Sequence, residues 1–208
     1  MQTQAEGVVG PFRAQEGSPS NLRQGKDSEL IVQELHGRYY EQVFRKNVFL
    51  AHAIVTAPAA YTATVAVGGP LIWNPLNSGV NVAILGVGIG TTVVTTVAAV
   101  LGLTGATAQQ VAPTATTAID SKTNMYIGGG LGSTFAYRIG TVTVAGSFFM
   151  PIAQLHTGAL TVDNTGLSWT DLGGALVIPP GCWGGVAASV AATTAVCQIA
   201  MLYEEIPV

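Results

Sequence analysis

From Asn47 to Ile119 the chain runs for 73 residues without one Asp, Glu, Lys or Arg, although His52 falls inside. Charged residues make up only 9% of the whole sequence, against about 25% in an ordinary soluble domain. A folded surface this neutral associates unless something covers it, whether lipid, further copies of the chain or neighbouring proteins. The charges that exist are segregated: 12 of the 19 lie in residues 1–46, six acidic and six basic, and seven serve the remaining 162. The chain therefore divides into a polar N-terminal arm, 1–46, and a neutral body, 47–208. A length of 208 residues suits one domain with an appendage. A net charge of −3 offers no basic footprint, so no nucleic acid is expected as a partner.

Lipid is the first cover to weigh, because residues 80–103 (VNVAILGVGIGTTVVTTVAAVLGL) are long enough to span a bilayer as a helix. Their glycines, threonines and β-branched majority argue against it, and no Lys or Arg flanks the segment to set an orientation. These residue types fit a pleated surface better, so strands and no membrane segment are expected. The N-terminus lacks the basic start and apolar core of a secretory signal.

Along the body, period-2 or short apolar runs predict strands at 47–56, 62–67, 70–73, 80–89, 92–100, 134–145, 147–153, 159–162, 174–178, 182–190 and 194–203. Breakers separate them at Gly68-Gly69-Pro70, Asn74–Gly79, Asp163–Gly166 and Pro179-Pro180-Gly181. In the last of these, Pro180 and Gly181 suit the central positions of a type II turn. Many short strands at close spacing predict an all-β sandwich or barrel. The arm has no usable period over residues 1–28; Asp27 or Ser28 can cap a short helix through Leu35, and a strand or extended arm is the alternative for 30–44.

No motif carries chemistry. GVGIGTT (86–92) and GGGLGS (128–133) are similar to phosphate-cradling loops, but neither has the following Lys-Ser/Thr, and glycines at bulges or close backbone approaches explain them. DNTGLSWTD (163–171) lacks the full ligand set of a calcium loop and reads as a solvated turn. His36, His52 and His156 stand apart, so no metal is expected, and no cofactor either. Cys182 and Cys197 are expected as reduced, buried thiols, although facing strands would also permit a disulfide. Trp73, Trp169 and Trp183 suit packing or an interface, with sugar stacking as the alternative. No G-x-S-x-G elbow is present and nothing basic lies near Cys182, so no enzyme activity is expected.

HGRYYEQVFRKNVF (36–49), PLIWNPLNSGVNVAILGVGIG (70–90) and LVIPPGCWGGVAASVAATTAVCQIAMLYEEIP (176–207) resemble structural proteins of tailed-bacteriophage virions. The ending is similar to the final hairpins of jelly-roll proteins that assemble as trimers. The resemblance implies a jelly-roll-like β-sandwich body with an extended, partly helical arm, in a non-enzymatic virion component that decorates the capsid or belongs to the tail. Its implied partners are its own copies, as a homotrimer, and other virion proteins; a receptor- or glycan-binding module on the same fold is the alternative. For the arm, Arg38, Tyr39, Tyr40, Phe44, Arg45 and Phe49 are the candidate anchoring contacts, because aromatic and Arg side chains concentrate binding energy. Phe44 and Phe49 fit a lid on the body's own core equally well.

Overall fold

A computed structural model describes residues 38–64, 67–93, 97–107, 111–155, 167–192 and 194–208. Among these residues one short helix, α1 (Tyr40–Phe44), precedes eleven strands: β1 (Val48–Thr56), β2 (Val67–Asn74), β3 (Val80–Val93), β4 (Ala99–Ala106), β5 (Thr114–Ala118), β6 (Ser121–Asn124), β7 (Phe135–Thr141), β8 (Met150–Leu155), β9 (Leu167–Ile178), β10 (Cys182–Ala188) and β11 (Val196–Pro207). They form two antiparallel sheets, one ordered β6-β1-β11-β3-β9 and the other β5-β7-β2-β10-β4-β8. The fold is an all-β sandwich. The segment weighed as a membrane helix is divided between β3 and β4, and among the described residues no helix is long and apolar enough to cross a membrane.

Alternation along the strands places the core. From the five-stranded sheet, Ala51, Ala53, Val55, Val87, Ile89, Ile199, Met201 and Tyr203 turn inward, and Ile72, Leu101, Leu103, Leu155 and Val186 meet them from the other sheet. Complete burial of the Val, Ile, Leu and Met side chains among them contributes about 1.5–3 kcal/mol each. Asn74 ties the sheets together at one end, donating from Nδ2 to the carbonyls of Val80 (2.8 Å) and Ile178 (3.0 Å).

The two outer faces differ. On the six-stranded sheet, Leu71, Trp73, Trp183 and Ala187 form a second buried cluster with Ala106 and Val142. The chain between β7 and β8 roofs this cluster: Trp183 Nε1 donates to the Val144 carbonyl at 2.9 Å, and Gly146 N donates to the Tyr61 carbonyl at 3.1 Å. Among the described residues, none forms such a roof along the middle of the five-stranded sheet's outer face.

Several expected boundaries move. The run at 92–100 is shared between β3 and β4, and 142–149 form the roof instead of continuing β7. Gly68-Gly69-Pro70 is not a breaker but an irregularity inside β2, where a methyl on Gly69 would come within 2.8 Å of the Tyr137 carbonyl. β5 and β6 were not expected, because threonine-rich or four-residue segments give little apolar period. The turn at Pro180-Gly181 has Gly181 at φ +75°, as a type II turn requires. The expected strand at 159–162 and the helix through Leu35 lie outside the described residues. Residues Glu41–Val208 form one compact unit, so 41–46 pack with the body.

Candidate interaction surfaces

Register builds the unroofed face row by row. His52, Ala200, Gly88 and Trp169 lie side by side across four strands; Leu50, Leu202, Gly86 and Asp171 form the next row, and Ile54, Gln198, Gly90 and Leu167 the row beyond. The glycines of β3 leave a shallow bed in which the indole of Trp169 rests. A methyl at Gly86 would sit 2.6 Å from that ring and one at Gly88 2.9 Å. The indole's other side faces outward: Trp169 is 55% exposed and Leu167 84%. Asp171, on the edge strand, is the one carboxylate in these rows, and no Lys or Arg enters them.

At the opposite edge, the loop from β6 to β7 (125–134) is fixed at both ends. Asn124 donates from Nδ2 to the carbonyls of Lys46 (2.6 Å) and Gly130 (3.2 Å), and its Oδ1 accepts from Tyr126 N at 2.9 Å. At the other end the buried carboxylate of Glu205 accepts from Ser133 N (2.7 Å), Thr134 N (3.1 Å) and Thr134 Oγ1 (2.6 Å), with Lys122 Nζ at 3.7 Å. Gly132, at φ +70°, allows this approach, since a methyl there would lie 2.5 Å from the carboxylate. The end of the GGGLGS segment, at Gly132 and Ser133, therefore packs against an anion, and the anion belongs to the same chain. Burial draws the Lys122 ammonium below its usual range, opposed by the Glu205 charge. Burial also pushes the Tyr203 hydroxyl, 3.3 Å from Thr134 Oγ1, well above its usual value. Between the clamps the loop presents Ile127, 95% exposed, and Leu131, 65% exposed.

The arm candidates separate. Arg38 stacks over the Tyr39 ring at 5.2 Å, and Tyr40 opens α1 with its side chain exposed. Phe44 is exposed and meets the Tyr126 ring edge-on at 6.4 Å. Arg45 lies near Glu204, whose carboxyl is raised by burial and partly lowered by that guanidinium. Phe49 takes the packing role: it is 2% exposed on β1, stacked 5.6 Å from Tyr203 and capped by Lys122 at 5.1 Å. Sequence reasoning missed Lys122, Asn124 and Glu205. The usable signal was scarcity, since a cation and an anion in a body with seven charges are natural partners.

A third feature is an apolar pocket of about 200 Å³ at the end of β9, lined by Ala106, Phe148, Leu176, Ile178, Pro179 and Cys182 among others. Neither cysteine is in a disulfide and both are buried. Burial pushes the Cys197 thiol up to about 11, which leaves it a poor nucleophile. Among the described residues no three His, Cys, Asp or Glu side chains gather as a metal site. No protein-family model matches the chain, and no curated protein matches it significantly.

Proposed function

We propose that the protein is a non-enzymatic structural component of a bacteriophage virion, made in the host cytoplasm, with a jelly-roll body that assembles as a homotrimer. The jelly-roll reading is supported by strand order, with β1-β11-β3-β9 facing β2-β10-β4-β8 and β5, β6 and β7 added between β4 and β8. The arm, with Arg38, Tyr39, Tyr40, Phe44 and Arg45, attaches the body to a capsid or tail protein. The observation that carries the assembly is the outer face that no described segment roofs, whose rows are mainly apolar, with His52, Gln198 and Asp171 as their polar members. Neighbouring subunits covering it remove apolar area from water at about 25 cal/mol per Å², and no buried ion has to be desolvated there beyond the edge.

Sedimentation of the full chain tests this. A trimer is expected, and Ala200→Arg, in the middle of the face, should dissociate it without unfolding the body. A wild-type monomer at high concentration would overturn the reading. The exposed indole of Trp169 on its glycine bed favours one second reading, a saccharide platform in which a sugar ring stacks on the outward side. Glycan binding by a monomer, lost in Trp169→Ala, would establish that alternative.

A further inference from the structure

We infer that copies of this chain are joined head to tail, the 125–131 loop of one seated in the Cys182 pocket of the next. The inference rests on the self-assembling reading above and names the contact that orders it.

Ile127 is the most exposed large apolar side chain among the described residues, and Leu131 projects from the same loop. A single exposed aliphatic residue is ordinary. Here, however, the loop carrying two of them is held by Asn124 at one end and by the buried Glu205 carboxylate at the other. Fixing the loop in advance lowers the ordering cost of inserting its tip into a partner. Such rigidity gives a mere connection no advantage.

The pocket offers the complementary shape. Its lining includes Phe148, Leu176, Ile178 and Pro179, with no ionic side chain, and its volume is about 200 Å³. An aliphatic cavity of about 150 Å³ accepts the six carbons of benzene, so the four-carbon side chain of Ile127 or Leu131 fits this one. Loop tip and pocket are alike in carrying no charge that the contact would have to desolvate.

Position decides whose loop fills whose pocket. The loop follows β6, at one edge of the five-stranded sheet, and the pocket adjoins the end of β9, at the other edge. Four strand spacings lie between them, about 19 Å, so the tip of one copy is remote from its own pocket. Both features sit at the same end of the sandwich, where β1 and β10 begin and β9 and β11 finish. Two different patches in mutual contact give a heterologous interface, and closure after three copies gives the trimer.

The native Cys182 makes the contact directly testable. In full-length protein carrying Ile127→Cys, mild thiol oxidation should yield a reducible intermolecular crosslink that peptide mapping assigns to positions 127 and 182. Adding Cys182→Ser should abolish the crosslink, and Val190→Cys, exposed elsewhere, should not form it. Ile127→Asp should weaken self-association at least about tenfold with the melting temperature of the dissociated chain, read at high dilution, unchanged, because the side chain is solvated in the single copy. A wild-type oligomer whose crosslink is absent or maps to Cys197, or which survives Ile127→Asp, would overturn this contact while leaving self-assembly intact. A wild-type monomer would overturn both.

Discussion

Among single residues, Glu205 carries the largest consequence. Its carboxylate satisfies two backbone donors, one hydroxyl and the Lys122 ammonium, all in a buried setting. Glu205→Ala leaves the backbone and hydroxyl donors without their acceptor and Lys122, which keeps its bond to the Thr134 carbonyl at 2.6 Å, without its counter-charge, and a loss of about 3–5 kcal/mol is expected in chemical denaturation. Glu205→Gln, which keeps an acceptor, should lose less. Cys197 gives a pH prediction of definite sign. Its thiol ionises at an ordinary value of 9.0 in the unfolded chain and near 11 in the fold. As pH rises through that window the unfolded state releases its proton first, so stability falls. Cys197→Ala should show a shallower alkaline decline than wild type, measured by denaturant titration at pH 8 and pH 11. Equal slopes would show that the thiol does not contribute.

At the level of elements, β3 is the informative strand. Its glycines contribute no side chains to the outer face, and the space they leave is taken by Trp169 from the neighbouring strand. Gly88→Val should therefore cost about 1–3 kcal/mol through overpacking against the indole. Combined with Trp169→Ala, most of that cost should vanish, and a double-mutant cycle reads the coupling directly. Additive effects would mean that the ring does not rest on Gly88. The alternation of β1 and β11 was legible in the sequence, because one buried face imposes period 2. β5, β6 and the roof at 142–149 were not, because what holds them is pairing and hydrogen bonding to distant strands and not their own pattern.

Across the whole molecule, the division between polar arm and neutral body frames the remaining prediction. Removing residues 1–40, which takes away Arg38, Tyr39 and Tyr40 and stops where the compact body begins, leaves every described strand in place, so the shortened protein should melt cooperatively and sediment as the full chain does. It should fail to attach to virus particles, measured by co-sedimentation with particles that lack the protein. Undiminished attachment would remove the arm from the proposed mechanism.

Composition and spacing alone determined that this chain is a β protein with a neutral body, because β-branched and glycine residues favour pleated structure and the absence of ionic groups is a property of the string. They also placed the Pro180-Gly181 turn, whose geometry is local. Tertiary structure decided which of two outer faces is roofed, that Phe49 packs inside while Phe44 stays outside, and that a glycine-rich loop closes on Glu205. Each of those outcomes depends on residues far apart in sequence meeting across a sheet, and a linear pattern carries no record of which strands become neighbours.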